Sequence, residues 1–374
     1  MYRSRATRYG VAAAVAAMAL VGCGSSPTSS PSDTDAAPDA AAKSGEVYAK
    51  FAELSGADRE EQLVEAAEAE GALNIYTSWT YMDALVEGFE EKYDLSVSVY
   101  RASSETVLQR VLQEQQAGFY GNDVLETNQL EMAAAQDEGL FGEYSSELRD
   151  RTREEAQFDQ WTATRFNAFV VQWNTEHVKP GEEPKSFEEL AGEAWAGRLS
   201  MEVGDAAWMQ ALSYYYLDQG KTQEEVDALF VGLAENSEVT KGHTAWNELM
   251  AAGQFEVAMS QYLQVVEKSK EKGQPVEWRP AEGKPVEPIV LQANGMAVMK
   301  NAEHPAAATL FLDYALSDEG QAIIVKEVKI GALPGENDPL EGLEVIPLPE
   351  DKLLSEGKEW EERYDELLSS KPVS

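Results

Sequence analysis

The sequence predicts an α/β fold in two lobes, each built on a mostly parallel sheet flanked by helices. Short apolar strands alternate with amphipathic helices through most of the chain, a pattern typical of right-handed crossovers in a parallel sheet. The chain has 374 residues, 43% of them hydrophobic, which is more than one core of roughly 250–300 residues accommodates. Strands at 168–174 and 289–299 lie where the chain would cross between the lobes.

Composition excludes several classes of function. The chain carries 30 Lys and Arg against 67 Asp and Glu, for a net charge of −37. Such a surface repels phosphate backbones, so we expect no nucleic-acid partner. One Cys excludes internal disulfides and Cys-based metal cages, and three His would nearly all be needed for one His-built zinc site. The excess of acid is best explained as a solvated surface.

The pattern of the first residues is typical of a targeting segment. Three arginines precede the apolar run 11–20, which is too short for a membrane span of about 20 residues. The run ends at Gly22-Cys23, and this order resembles a bacterial lipoprotein signal. The resemblance implies that residues 1–22 are removed and that a lipidated Cys23 anchors the protein at the outer face of the cell membrane. The alternative is an ordinary secretory signal with an incidental Cys.

The segment 23–44 is rich in Ser, Pro, Ala and Asp and shows no apolar periodicity, which predicts a flexible tether. Residues 45–172 and 286–374 are then expected to form the first lobe, with strands at 73–77, 95–100 and 123–127. In parallel sheets, ligands bind at the carboxyl ends of the strands. The candidate ligand-binding residues of this lobe follow those ends: Ser78, Trp79, Tyr81, Ser104, Glu105 and Asn128.

Residues 173–285 are expected to form the second lobe, with strands at 199–203, 238–241 and 255–260. The same rule selects candidates at strand ends and first helical turns: Asp205, Trp208, Thr244, Trp246 and Tyr262. Backbone N–H groups at these helix starts would also suit an anionic group. Two alternatives stay open, because Ser, Asp and Thr at such positions are commonly helix caps and Trp at helical spacing is commonly a core residue.

Several segments resemble a known family in their order and spacing. They are Glu70–Ser78, Pro184–Leu190, Trp195–Leu199, Ala251–Phe255 and, above all, His304–Gln321. These segments are similar to those of the solute-binding proteins of ABC importers, in the bilobal periplasmic-binding-protein class of type II. Members of that class carry ferric iron, thiamine, polyamines or phosphorylated organics.

This resemblance implies a monomeric receptor with two hinge crossings that closes on one small molecule and delivers it to an ABC permease and its ATPase. It implies neither an enzyme nor a cofactor, and the chain has no Gly-x-Ser-x-Gly, Walker A or His-Glu-x-x-His motif. A ligand-sensing receptor for a membrane signalling kinase would need the same closure and stays as an alternative of another class.

The residues favour an organic cation or a heteroaromatic solute, since aromatic side chains and carboxylates recur among the candidates. Iron-binding relatives are expected to use adjacent tyrosines, often with a His and a Glu. In this chain, the segment where the tyrosine pair would be expected has Tyr262 alone. Trp79 stands where a His ligand would be expected, and of the three His only His243 lies near a strand end. Tyr214–Tyr216 project in different directions from one helix and are expected to pack. Ferric iron is the alternative ligand, and Arg101 and Arg165 are the bases that would serve an anion.

Overall fold

A computed structural model describes residues 36–335 and 338–369. The predicted signal segment and Cys23 therefore lie outside the described residues. Within the described part of the chain, no helix is both long and apolar enough to cross a lipid bilayer.

Strands and helices alternate along most of the described chain, as the sequence predicts. The strands are β1 (Ala72–Thr77), β2 (Ser96–Arg101), β3 (Val124–Asn128), β4 (Thr162–Asn174), β5 (Leu199–Glu202), β6 (Ser237–Thr240), β7 (Val257–Tyr262), β8 (Val276–Glu277), β9 (Ile289–Val298) and β10 (Val345–Pro347). The helices are α1 (Ala36–Ala52), α2 (Gly56–Glu70), α3 (Met82–Lys92), α4 (Ser104–Gln116), α5 (Gln129–Asp137), α6 (Glu147–Asp150), α7 (Phe187–Leu190), α8 (Ala206–Asp218), α9 (Gln223–Glu235), α10 (His243–Ala251), α11 (Leu263–Glu271), α12 (Pro305–Leu316), α13 (Asp318–Val328) and α14 (Glu350–Leu368).

The strands form one continuous, curled sheet in the order β2-β1-β3-β9-β4-β7-β5-β6, with β10 beside β9 and β8 beside β4. Strands β1, β2 and β3 are parallel to one another, and so are β5, β6 and β7. The long strands β4 and β9 run antiparallel between these two groups. This arrangement confirms the predicted fold class, with two mostly parallel groups and two crossings. We call the groups the β1–β3 half and the β5–β7 half.

Local sequence explains the helices that cover the sheet. In α3 the side chains at i, i+3, i+4 and i+7 are Met82, Leu85, Val86 and Phe89, and all four are buried, as the periodicity predicts. Helix α9 begins at a capping box in which Thr222 and Glu225 satisfy each other's backbone N–H groups.

Buried apolar side chains form two clusters. The first surrounds the β1–β3 half and includes Phe89 and Phe311, and the second lies in the β5–β7 half and includes Phe230. The clusters do not follow the predicted lobe boundaries. Trp246 and Leu263, which lie within 173–285, belong to the first cluster because α10 and α11 pack against β4.

The C-terminal segment departs from its predicted place in the first lobe. The apolar stripe of α14, which comprises Leu353, Trp360, Tyr364 and Leu368, belongs to the second cluster. The helix lies against α8, where the Trp360 ring contacts Tyr214 edge-on at 5.7 Å. The stripe is buried there because α8 presents an aromatic surface to it. Helix α14 thus packs with the second cluster, although the sequence prediction places residues 286–374 in the first lobe.

The end of the predicted tether is also ordered. Helix α1 begins at Ala36, so residues 36–44 of the predicted tether are helical. Ser44 is buried and its hydroxyl donates to the carbonyl of Lys300, while the Tyr48 hydroxyl donates to the carbonyl of Met299 at 2.8 Å. These bonds fix α1 to the segment after β9, which is why the last part of the tether is not flexible.

Candidate functional site

The carboxyl ends of β5, β6 and β7 bring four functional side chains together. Glu202 is the last residue of β5, Asp205 directly precedes α8, His243 opens α10, and Tyr262 ends β7. Because β5 lies between β6 and β7, the turns that follow these strands are neighbours. The donor atoms of Glu202, Asp205 and His243 all lie within 4.8 Å of one another. We call these three residues and Tyr262 the donor cluster.

Asp205 is the centre of the donor cluster. One of its carboxylate oxygens accepts a hydrogen bond from Ser260, and the other lies 3.3 Å from Nε2 of His243. The ring of Tyr262 stacks on the imidazole, with 3.7 Å between the ring centroids. Nδ1 of His243 is buried and has no hydrogen-bond partner within the described residues. The cluster therefore keeps donor capacity that the fold does not use.

Glu202 links the two turns that carry the other donors. One of its carboxylate oxygens accepts from the backbone N–H of Gly242 at 2.7 Å, and the other accepts from the N–H of Gly204. Gly242 has a φ of 85°, a conformation that strongly favours glycine. Since Gly204 directly precedes Asp205 and Gly242 directly precedes His243, the Glu202 carboxylate fixes the spacing of that pair.

Burial and charge shift the protonation of the cluster. Burial raises the pKa of Asp205, although the hydrogen bond and charge of His243 act against this rise. Burial alone would lower the pKa of His243, but Asp205 and Glu202 raise it above its ordinary value of 6.5. The pKa of Tyr262 is also raised, by burial and by the charges of Asp205 and Glu202. The cluster thus holds protons that a bound cation would displace.

The donor set suits a cation. Two carboxylates, one imidazole and one phenol are oxygen and nitrogen donors, which hard metal ions prefer over sulfur. An anionic group at the start of α8 would meet the carboxylate of Asp205, which is 4% exposed and does not cap the helix through its side chain. The arrangement is therefore built to hold positive charge.

A second group of polar side chains lies in the β1–β3 half. The Glu126 carboxylate, in the middle of β3, is buried and forms a 2.7 Å ion pair with Arg165 of β4. It also accepts from the backbone N–H of Trp79 at 3.1 Å and from the hydroxyl of Thr77. The guanidinium carbon of Arg165 lies 5.0 Å from the centroid of the Trp79 ring. Arg165 thus neutralises Glu126 inside the fold.

One face of β4 connects the two groups. Arg165, Asn167 and Phe169 alternate along the strand and point to the same side. Asn167 bonds Gln264 of α11 at 2.9 Å, and Phe169 contacts Tyr262 with 5.1 Å between ring centroids. Residues 165–169 of the strand span about 13 Å, so β4 separates the donor cluster from the Arg165 group by about that distance.

A direct contact links α11 to the loop after β1. Nζ of Lys268, on α11, lies 2.9 Å from the hydroxyl of Tyr81 and 4.1 Å from the centroid of its ring. The same ammonium pairs with Glu327 of α13 at 3.2 Å. Tyr81 is 40% exposed, so its ring lies at the surface rather than in a core.

Comparison with known families agrees with this architecture. A model of the bacterial extracellular solute-binding proteins matches residues 84–338, which is more than half of the chain. The chain belongs to this family. Proteins of the family bind a small ligand outside the cytoplasm and deliver it to an ABC permease, so the receptor class expected from the sequence is confirmed.

Individual relatives of this solute-binding protein are distant. Iron uptake protein A2 of Synechocystis sp. is 25% identical over 273 residues, which cover 67% of this chain and 74% of the relative. Iron-bound HitA from Pseudomonas aeruginosa shares the fold with a TM-score of 0.62 at 19% identity, over 78% of this chain and 99% of HitA. AfuA from Actinobacillus pleuropneumoniae, solved with fructose-6-phosphate, gives 0.61 at 23% identity, over 80% and 99%. The fold alone therefore does not select the solute.

Six of the candidate residues lie at strand ends or in the loops that follow them: Ser78, Trp79, Tyr81, Asn128, Asp205 and Tyr262. Trp79 is only 4% exposed and belongs to the first core cluster. The Ser78 hydroxyl accepts from Thr127 at 3.3 Å, which ties the loop after β1 to β3. Asn128 is half-buried and lies opposite Asn294 of β9.

Both predicted tryptophans of the second lobe are core residues. Trp208 is 0% exposed and packs between Phe187 and Phe230, with centroid distances of 5.6 and 5.9 Å. Trp246 is also 0% exposed, and its indole N–H donates to Ser200 at 2.8 Å. Neither ring is open to a solute in this structure, because each lies on the buried side of its helix.

Three polar candidates lie at helix starts away from the donor atoms. Ser104 opens α4, but the capping side chain is that of Ser103. Glu105 is exposed and accepts a hydrogen bond from Gln109 of its own helix at 3.0 Å. Thr244 is exposed on the first turn of α10, next to His243. Local capping and solvent explain these positions.

Sequence reasoning did not identify Glu202, and it noted His243 and Arg165 without selecting them as ligand-binding residues or pairing Arg165 with Glu126. The available signal was a glycine near each residue, just after a strand. Gly204 closely follows Glu202, and Gly242 directly precedes His243. The three tyrosines Tyr214–Tyr216 do pack as predicted, because their hydroxyls contact three different carboxylates, those of Glu356, Glu344 and Glu188.

Proposed function

We propose that this chain is the receptor of an ABC importer for ferric iron. The observation that supports the proposal most is the convergence of Asp205, His243 and Tyr262 at the carboxyl ends of the strands of the β5–β7 half, with Glu202 beside them. A trivalent cation is the solute for which two carboxylates, a phenol and an imidazole form a favourable set. A sequence relative named iron uptake protein A2 and the shared fold of iron-bound HitA are consistent with this choice.

The charges of the site favour a cation over a phosphorylated solute. Close charges near a protein surface interact by about 4 kcal/mol at 4 Å, so an anion beside Asp205 and Glu202 would be repelled. Two bases lie in this part of the molecule, and both are already paired: Arg165 of β4 with Glu126 and Lys268 of α11 with Glu327. The fructose-6-phosphate of AfuA is therefore a poor model for this solute.

An organic cation is the second candidate, and it has a specific difficulty. Such a solute would need free aromatic faces, yet Arg165 lies over Trp79 and Lys268 lies over Tyr81. Trp208 and Trp246 are enclosed in the core. Tyr262 remains, but its ring is stacked on His243. The aromatic faces are thus engaged by the protein's own side chains.

Closure on the ion would follow from contacts in both halves. In this proposal the donor cluster supplies ligands from the β5–β7 half, and Tyr81, whose hydroxyl bonds Lys268, supplies a phenol from the β1–β3 half. A solute that contacts both halves favours the closed arrangement by the free energy of those additional contacts.

A titration with Fe(III) tests the proposal. Iron is presented as its nitrilotriacetate complex, and binding is followed by tryptophan fluorescence and by a phenolate-to-iron absorption band. We expect His243→Gln to lower the affinity by at least about 100-fold, because it removes a direct ligand. The matched control is His304→Gln, which removes the imidazole of another His–Asp pair and should leave the affinity within about twofold.

The outcome that contradicts iron transport is equally direct. Spermidine and thiamine are titrated under the same conditions as probes of an organic cation. Tight binding of either one, together with no response to Fe(III), would overturn the iron assignment in favour of the organic cation.

The importer role and the sensor role differ in their membrane partner. We infer that the partner is a permease with its ATPase, because the family model that matches is that of solute-binding proteins. Co-purification from membranes with a sensor kinase instead of a permease would contradict this inference.

We also propose that Cys23 carries the lipid that holds the receptor at the membrane. The order of basic, apolar and small residues before a single Cys supports this anchoring. Metabolic labelling with a fatty-acid analogue should label the chain, and Cys23→Ser should abolish the label and release the protein. Labelling that persists in the variant would exclude this residue as the anchor.

A further inference from the structure

The C-terminal helix reaches the donor cluster through one buried tyrosine. Tyr364, on α14, is 0% exposed, and its hydroxyl donates to the backbone carbonyl of Glu202 at 2.8 Å. The residue lies beyond 84–338, the part of the chain that matches the family model. Its surroundings are charged as well as apolar, since burial, followed by the charges of Asp205 and Glu202, raises the pKa of its phenol.

Helix α14 is held firmly in this position. Arg363 pairs with Asp227 of α9, and the Trp360 ring contacts Tyr214 of α8 edge-on. The Lys352 ammonium lies 3.5 Å from the centroid of the Tyr214 ring. Because several side chains of α14 are fixed at the same time, the Tyr364 hydroxyl has a defined place relative to β5.

Glu202 is the residue through which this contact acts. Its carboxylate accepts from Gly204 and Gly242, and its carbonyl accepts from Tyr364. These three hydrogen bonds fix the peptide that leaves β5, the turn before Asp205 and the turn before His243. Removing the Tyr364 hydroxyl would leave a buried carbonyl unpaired and free that peptide to rotate.

We propose that Tyr364 is a positioning residue of the solute site and that α14 is part of the binding machinery of this receptor. The proposal rests on the proposed function, since it concerns the geometry of the same donors. Tyr364 touches no solute. It acts through Glu202 on the distance between Asp205 and His243, as outer hydrogen bonds do in metal sites.

The chain provides a closely matched control. Tyr48, on α1, is also a buried tyrosine of a terminal helix outside residues 84–338, and its hydroxyl donates to the Met299 carbonyl at the same distance, 2.8 Å. Tyr48→Phe and Tyr364→Phe therefore remove the same kind of bond, one far from the donor cluster and one beside it.

The test compares the two variants in the full chain with Fe(III) nitrilotriacetate as the probe. We expect Tyr364→Phe to lower iron affinity about tenfold, to shift the phenolate-to-iron absorption band and to raise the pH at which iron is released. Tyr48→Phe should produce a similar shift in the urea midpoint with unchanged affinity, band and pH of release. Equal affinities for Tyr364→Phe and the unmodified chain would overturn the inference while leaving the proposed function in place.

Failure of the proposed function gives a different result, because the unmodified chain then binds no iron and both proposals fall. If Tyr364→Phe does not fold, hydrogen exchange of the unmodified chain decides the question. Iron should slow exchange in the second half of α14 as well as in the turn at 203–205. Slower exchange in that turn, without any change in α14, would also overturn the inference.

Discussion

Two buried His–Asp pairs have the same side chains and different surroundings. In the β1–β3 half, Nδ1 of His304 lies 2.9 Å from Asp123. In the β5–β7 half, Nε2 of His243 lies 3.3 Å from Asp205. Both imidazoles have a raised pKa, His304 chiefly through its hydrogen bond to Asp123 and His243 through Asp205 against the effect of burial.

The carboxylates of the two pairs differ in how fully they are used. Asp123 also accepts from the backbone N–H of Asn74 and from that of His304, each at 2.8 Å, and from the Asn74 amide at 3.2 Å. Asp205 accepts otherwise only from Ser260 among the described residues, and it faces a second carboxylate, that of Glu202. The Asp123 carboxylate is saturated by hydrogen bonds that connect chain segments. The Asp205 carboxylate has lone pairs that are available to a ligand.

The strongest test of this comparison replaces each carboxylate with an amide, which differs from it by one heavy atom. Asp123→Asn should lower the free energy of unfolding by about 2–4 kcal/mol, because it disrupts several buried hydrogen bonds, and should leave iron affinity unchanged. Asp205→Asn should lower iron affinity by at least about 100-fold with a smaller loss of stability. Urea denaturation and iron titration measure the two effects, and a loss of stability of the same size in both variants would refute the distinction.

The pH dependence of binding sharpens the same comparison. Iron must displace the proton of His243, whose pKa is raised above 6.5, so affinity should fall as the pH drops through that raised pKa. The loss should approach tenfold per pH unit for each proton displaced. Titrations against a chelator of known pH dependence measure it. His304→Gln should keep the profile, and a flat profile for the unmodified chain would contradict the role of His243.

The smallest expected effect concerns the stability of the His304 pair. Its folded pKa is raised above the ordinary value of 6.5, so the stabilising contribution is present below that value and is lost as the pH rises through the folded pKa. His304→Gln should therefore cost about 1 kcal/mol more at pH 6 than at pH 9, as one charge-assisted hydrogen bond would. Urea unfolding at both pH values measures it, and an equal cost at both would show that the pair is not charged.

The fold could be predicted from the sequence because its signals are local. The apolar stripe of α3, from Met82 to Phe89, and the short strands β1 and β3 follow from periodicity within a few residues. The donor cluster could not be predicted in the same way. Glu202 and His243 are distant in sequence and meet only because β5 and β6 are neighbours in the sheet.

Errors at the site have the same physical origin. Trp208 and Trp246 lie in the first turns of helices close to the predicted strand ends, and a first-turn position does not determine which side of the helix faces the core. The place of α14 was equally unpredictable, because the partner of its apolar stripe, the Tyr214 side of α8, lies about 140 residues earlier in the chain. The composition of the donor cluster and the position of α14 both depend on contacts between residues that are far apart in the sequence.

The continuity of the sheet from β2 to β6 has a consequence for how the molecule melts. Strands β4 and β9 belong to both halves, so neither half has a free edge at their junction. Unfolding of one half would remove interstrand hydrogen bonds from β4 and β9, which support the other half. The described body should therefore denature in a single cooperative step, with a calorimetric enthalpy equal to the van 't Hoff enthalpy, and iron should raise the temperature of that whole transition.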